Sequence, residues 1–184
     1  MILDKYPKVY RIPLHEYSSF PKIDGKLYME KETSDQLLGN GLKFVREKLD
    51  GVSKFSIIGG HQVFIEDLEL SHVVPYTQLP AYKIAYDARL IDDDRWLKME
   101  EFLVFTMINK LQTPPLLMRT RKKLDAKELI KIAKGRSTFN PEHKMEGLIV
   151  INDKFGLTGK IVNPEYDEIS DDKPIGPEIN LLRS

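Results

Sequence analysis

A chain of 184 residues with 28 basic and 28 acidic side chains is long enough for one domain with a sizeable core, and its balanced charge argues against a non-specific nucleic-acid coat protein. It has no cysteine, which excludes disulfides, thiolate zinc centres and a cysteine nucleophile. No apolar run reaches membrane-span length and Met1-Ile2-Leu3-Asp4-Lys5 does not read as a signal peptide, so a cytoplasmic protein is expected.

The charge is unevenly spread. Arg119 to Arg136 is strongly basic, and Glu165 to Glu178 is mostly acidic. A neutral total can therefore carry a basic face.

In chain order, Tyr6 to Leu14 holds Pro7 and Pro13 and reads as an edge strand or extended arm. Asp24-Gly25 reads as a turn. Thr33-Ser34-Asp35 caps a short helix running to about Leu38, closed by Gly39-Asn40-Gly41. Strands follow over Leu42–Arg46, Val52–Ile58 and Gln62–Leu68, with Gly59-Gly60 as the turn between the last two. Tyr82–Ile91 and Trp96–Met99 form another hairpin across Asp92-Asp93-Asp94, which reads as a solvated turn ahead of a metal site. Phe102–Phe105 reads as a strand buried on both faces. Pro114-Pro115 breaks the chain. Asp125–Lys134 is a helix with Asp125 as N-cap, Glu128 three residues on, and Gly135 at its end. Strands Glu146–Ile151 and Leu157–Val162 flank an Asn152-Asp153 turn. Many antiparallel strands with few helices make the fold α+β.

The stretch with chemical content is Glu47-Lys48-Leu49-Asp50-Gly51. It offers an amine, a carboxylate and a glycine that lets backbone approach a ligand. Read alone it is better taken as a strand ending in an Asp-Gly turn. Phe105 alone reads as core, Glu146 as a strand-end surface carboxylate and Lys160 as a surface lysine. His15, His61, His72 and His143 are scattered without ligand spacing. Arg119 and Arg121 are the better candidates for nucleic-acid phosphates, because guanidinium forks onto phosphate oxygens.

Taken as a series, Lys48-x-Asp50-Gly51, an aromatic segment at Phe105, Glu146-Gly147-Leu148-Ile149-Val150 and Lys160-Ile161-Val162-Asn163 resemble the covalent nucleotidyltransferase superfamily of ATP-dependent DNA ligases, RNA ligases and capping guanylyltransferases. Glu47-Lys48, Tyr6-Pro7-Lys8 and the ending Lys160 to Tyr166 look most like RNA ligases, whereas Pro115-Leu116-Leu117-x-Arg119 is similar to DNA ligases and capping enzymes. The resemblance implies two antiparallel β-sheets with flanking helices around a nucleotide-binding groove, similar to the ATP-grasp arrangement. It implies Lys48 as the nucleophile toward the α-phosphorus of ATP, its pKa lowered by burial and a neighbouring cation. Asp50 would orient Lys48. Glu47 and Gly51 would lie in the nucleotide site, Phe105 would stack on the base, and Lys160 would contact the α-phosphate. Glu146 would hold Mg²⁺ or Mn²⁺, with Asp87 making a metal or ribose contact. The implied partner is nucleic acid, RNA ends ahead of nicked DNA.

The chain departs from that pattern in three places. No arginine follows the lysine motif in Ile58-Gly59-Gly60-His61-Gln62, Arg89 stands where a glutamate is usual, and Val162 replaces a second lysine. Loss of one charge-assisted phosphate contact corresponds to about 1.5–3 kcal/mol of binding. Residues 1–164 are expected to form the nucleotidyltransferase domain. Residues 165–184 are expected to form an acidic tail too short for the OB-fold domain of DNA ligases and capping enzymes. The leading expectation is an ATP-dependent RNA ligase; the alternatives are a DNA ligase core, a GTP-using capping enzyme, or the same fold kept as a binding module.

Overall fold

The computed structural model describes residues 1–13, 22–23, 26–167 and 179–183; the Asp24-Gly25 turn, His15 and the acidic stretch 168–178 lie outside them. Its elements are strands β1 (Tyr10–Arg11), β2 (Lys22–Ile23) and β3 (Lys26–Leu27), helix α1 (Lys31–Leu38), strands β4 (Lys43–Lys48), β5 (Val52–Ile58), β6 (His61–Asp67), β7 (Lys83–Leu90) and β8 (Arg95–Trp96), helix α2 (Met99–Ile108), strand β9 (Leu116–Thr120), helix α3 (Ala126–Ala133), strands β10 (Gly147–Asn152) and β11 (Leu157–Val162), and the short helix α4 (Pro164–Asp167).

Two main sheets carry the fold. One has the order β1-β11-β10-β4-β9, the other β5-β6-β7-β8, and β2-β3 form a small ribbon. The expected antiparallel sheets are present, with one difference: β1 runs parallel to β11 at the edge of the larger sheet.

Strand β4 is central, paired with β10 on one side and β9 on the other. Its side chains alternate between faces. Val45 joins Leu37, Leu129, Leu148 and Ile161 under α1 and α3. Phe44 joins Val63, Ala85, Met99 and Phe102 between the two sheets. The domain is thus layered, with helices outside the larger sheet and the smaller sheet across its inner face. Lys43 is fully buried on the helix side and donates to the carbonyls of Gly39 and Gly41 (2.5 and 2.8 Å). Together with Asn152, which donates to Gln36, Leu37 and Asn40, it satisfies the C-terminal end of α1.

Helix α1 begins at Lys31, so Thr33-Ser34-Asp35 lie within it and do not cap it. Two further elements differ from the sequence reading. Phe102–Phe105 lies in helix α2, not in a strand. Met99, Phe102 and Thr106 are buried, but Val104, Met107 and Ile108 face solvent, so apolar residues ring the helix and erase its period. The signal present in the sequence is Glu100-Glu101, two acids in a first turn; Glu101 accepts the Lys98 N–H at 2.8 Å. The other is Leu116–Thr120, an edge strand beside β4 that follows the two prolines. Helix α3 begins as expected, with Asp125 accepting from Lys127 and Glu128 N–H.

The N-terminal segment crosses the smaller sheet, and the described C-terminal residues pack on the segment between β6 and β7. Leu3 exchanges two hydrogen bonds with the Gln62 amide, and Tyr6 donates to Asp87 at 2.6 Å before β1 joins the larger sheet. At the other end, Asn180 accepts from Tyr76 N–H and donates to the Leu68 carbonyl, both at 2.7 Å.

Candidate active site

Residues Arg46 and Lys48 lie on the inner face of β4, because they share the parity of Phe44. Opposite them stand β5, β6 and β7. Between the sheets is a cavity of about 420 Å³ lined by Arg46, Lys48, Lys160, Glu66, Phe55 and Tyr86, with Asp4 to Pro7 of the N-terminal segment as a further wall.

The Lys48 amine sits in the fork of Glu146, donating to both carboxylate oxygens. Glu146 immediately precedes β10, whose Gly147 pairs with Lys48. Lys160, on β11, pairs with Ile149, lines the same cavity, and its charge favours ionised Glu146. Lys48, Glu146 and Lys160 therefore converge, although 98 residues of chain separate Lys48 from Glu146. Val162, in the place of the second lysine, faces Lys48 across Gly147.

The electrostatics differ from the expectation of a depressed lysine pKa. Burial pushes the Lys48 amine down, but the carboxylates of Glu146, Glu66 and Asp50 outweigh it and hold it above its ordinary value. The free protein thus keeps Lys48 as an ammonium. Burial raises Glu146 against the pull of Lys48, and raises Glu66 to about 7. Glu66 was not singled out in the sequence; nothing around it there resembles a motif. It accepts the Gly51 N–H at 3.0 Å.

The remaining candidates divide. Asp50 makes its hydrogen bonds to the loop beyond β6, accepting from the backbone N–H of Val73 and Val74 (2.6 and 3.0 Å), while its own N–H donates to the Tyr76 hydroxyl at 2.9 Å. Glu47 is buried and accepts from Ser137 Oγ (2.5 Å) and Thr138 N–H (2.9 Å), so its carboxylate is occupied by the loop after α3. Gly51 has no room for a side chain: a Cβ there would lie 2.5 Å from the Asp67 carbonyl. Phe105 is on α2 with its ring 4.4 Å from that of His61 and is not among the cavity-lining residues; the rings that line it are Tyr6, Phe55, Phe64 and Tyr86. Phe105, expected to stack on the base, thus lies on α2 outside the cavity lining, against His61. Arg89 is buried, paired with Asp94 and over the Trp96 ring at 5.9 Å. Arg119 pairs with Glu100 and lies over Phe44 at 5.8 Å; Arg121 is exposed.

Asp87 lies behind the Tyr6 ring instead of beside Glu146. Tyr6 makes edge contacts with Phe64, Tyr86 and Trp96 at 5.0–5.3 Å. Among the described residues no three His, Asp or Glu side chains cluster as a metal-binding set. The chemistry still suits Mg²⁺ or Mn²⁺, because such ions need only one or two protein carboxylates beside substrate phosphates. Glu146, with Glu66 in the same electrostatic cluster around Lys48, offers those.

Burial holds the Asp87 carboxyl up at about 6, against the lowering effect of the Tyr6 hydroxyl and Arg46. A folded-state value above the unfolded one means that native protein binds the proton more tightly. Stability is therefore lost as pH rises from about 4 through about 6, by about 3 kcal/mol for a displacement of this size. Asp87→Asn is expected to flatten the pH dependence of the urea midpoint between pH 4 and 7, leaving the contribution of Glu66. An unchanged slope would place the proton uptake elsewhere.

No helix among the described residues is long and apolar enough to cross a membrane. Comparison with known proteins finds no matching family model and no matching curated protein. Solved structures do match. A Naegleria gruberi RNA ligase with pyrophosphate aligns over 94% of this chain and 61% of its own, at 15% identity and a TM-score of 0.61. A point mutant of that ligase with AMP and Mn aligns at 14% identity and a TM-score of 0.57. An Aquifex aeolicus protein assigned as an ATP-dependent DNA ligase aligns over 86% of this chain and 50% of its own, at 18% identity and a TM-score of 0.54. This chain has the nucleotidyltransferase-type fold of ligases, and it spans about 61% of the RNA ligase it matches.

Proposed function

We propose that this domain carries out the nucleotidyl-transfer chemistry of an ATP-dependent polynucleotide ligase, acting on RNA ends. The observation that carries the reading is that Lys48 and Lys160 line one cavity between the two sheets of a ligase-type fold, with Glu146 forked onto the Lys48 amine. The Lys48 Nζ lone pair forms a bond to the α-phosphorus. The bond from that phosphorus to the bridging oxygen breaks, and its electron pair leaves with pyrophosphate. Before attack the ammonium gives its proton to Glu66 or Glu146, the carboxylates that surround it. Lys160 stabilises charge on the α-phosphate. A divalent cation held by Glu146 supplies positive charge against the phosphates and draws carboxylate charge away from the amine. The nucleotide then passes to a 5′-phosphate end, and a 3′-hydroxyl displaces AMP. Arg119 and Arg121 are the proposed contacts to the nucleic-acid backbone.

A specific observation favours a second reading, a binding module without turnover. Lys48 is held as an ammonium by its acidic neighbours, and Val162 stands where a second cation would help the transfer. Incubation with α-labelled ATP, and separately GTP, in Mg²⁺ or Mn²⁺ decides between them. Label on the denatured chain that disappears in Lys48→Ala supports the enzyme. Absence of label from folded protein that carries no nucleotide by mass supports the binding module.

A further inference from the structure

Strand β4 loses its sheet partners just where its lysine stands. Lys48 pairs with Gly147, and the next two residues, Leu49 and Asp50, belong to no strand. The segment between β6 and β7 holds them instead. Val73 and Val74 N–H donate to the Asp50 carboxylate, and the Tyr76 hydroxyl accepts the Asp50 N–H at 2.9 Å. That N–H shares a planar trans peptide with the Leu49 carbonyl, so the two point in opposite directions. The carbonyl thus meets the Lys48 amine, 3.5 Å from Nζ. One side chain closes the segment itself. The Asn180 amide accepts from Tyr76 N–H and donates to the Leu68 carbonyl, at 2.7 Å each, and so joins the ends of a stretch without helix or strand. Asn180 is 2% exposed, whereas its neighbours Ile179, Leu181 and Leu182 face solvent. Burial of apolar side chains does not explain this docking; a fully satisfied buried amide does.

We propose that Asn180 is a positioning residue for Lys48, acting through Tyr76 and the Leu49–Asp50 peptide. A neutral amine has two N–H groups and one lone pair. With Glu146 and the Leu49 carbonyl accepting the N–H groups, the lone pair is left with one direction. Attack on phosphorus needs that direction in line with the bond that breaks. If the Leu49–Asp50 peptide turns, its carbonyl leaves the amine and the lone pair loses its aim. The Tyr76 hydroxyl prevents the turn only while the Tyr76 backbone is fixed, and Asn180 fixes it. The effect falls on the rate of attack and not on nucleotide binding, because neither Asn180 nor Tyr76 lines the cavity. The assignment rests on the nucleotidyl-transfer reading for the role of Lys48.

The test uses the full chain and three variants: Asn180→Ala, Tyr76→Phe, which keeps the ring and removes only the hydroxyl, and the two combined. Exchange of the Asp50 amide hydrogen, followed by NMR, is expected to quicken about tenfold in each. Single-turnover labelling from saturating α-labelled ATP is expected to slow about tenfold in each single variant, the effect of one lost hydrogen bond, with the half-saturating ATP concentration unchanged. Because both residues act along one line of contacts, the double variant should be no slower than the slower single variant. The proposal is overturned by an Asp50 amide that exchanges as in wild type in Asn180→Ala, or by wild-type labelling rates in either single variant. Rate losses that multiply in the double variant also overturn it, as does a raised half-saturating ATP concentration with the saturated rate intact. An Asn180→Ala chain that does not fold makes the residue structural and has the same force. A wild type that takes no label defeats the transfer reading; Asp50 exchange then decides alone whether Asn180 holds the Lys48 motif.

Discussion

Gly147→Ala is expected to destabilise the protein by about 3 kcal/mol or more and to abolish nucleotide-dependent labelling with it. The glycine opens β10 between Lys48 and Val162. A Cβ built there lies 2.1 Å from the Ile161 carbonyl oxygen and 3.0 Å from the Val162 Cα. Both atoms are backbone, so no rotamer change relieves the clash; β10 and β11 would have to part. The separation would fall between Glu146 and Lys160, the two groups that must share the cavity with Lys48. Urea unfolding measures the first effect and label incorporation the second. A variant with wild-type midpoint would mean that the strands tolerate a shift that the close backbone approach denies them.

The second large effect is expected at Asp50, and its direction separates two roles. Asp50→Ala leaves the N–H groups of Val73 and Val74 without their acceptor. At about 1–3 kcal/mol for each of the two unsatisfied donors, the loss is about 2–6 kcal/mol. Asp50→Asn keeps a carbonyl oxygen at the site and is expected to restore most of that stability. If the residue acts mainly by orienting Lys48, Asn should instead fold normally and lose labelling. The observed hydrogen bonds predict that Asp50→Asn retains both. The loop it anchors reaches the C-terminal residues: Tyr76, whose hydroxyl accepts from Asp50, is held in turn by Asn180.

Much of the site could be read from the chain because local pattern and motif coincide there. The hairpin at Val52–Ile58 is closed by Gly59-Gly60, both with positive φ, and β10 and β11 flank the turn that begins at Asp153. Lys48, Glu146 and Lys160 were candidates because each falls in the motif series, Lys48 at the end of β4, Glu146 just before β10 and Lys160 within β11. Phe105 was misplaced for the opposite reason: a four-residue apolar run carries no period, and α2 exposes Val104, Met107 and Ile108 on the side that should have been polar. Arg46 and Glu66 were illegible on other grounds. Each looks like an ordinary charged residue in a half-buried strand, and only the packing of one sheet over the other shows that both face a cavity. The roles of Asp50 and Glu47 also depend on long-range partners, Val73 and Ser137, that no local spacing announces.

The N-terminal segment has a consequence for how the chain is made. The segment before β1 cannot dock until later residues exist, because Tyr6 pairs with Asp87 and its aromatic neighbours, and Tyr10 with Gly159 about 150 residues later. A nascent chain that has already presented Lys48 therefore has neither the wall formed by Asp4 to Pro7 nor the Lys160 strand. Such fragments should expose the apolar inner face of the larger sheet and depend on rapid completion of synthesis to stay soluble.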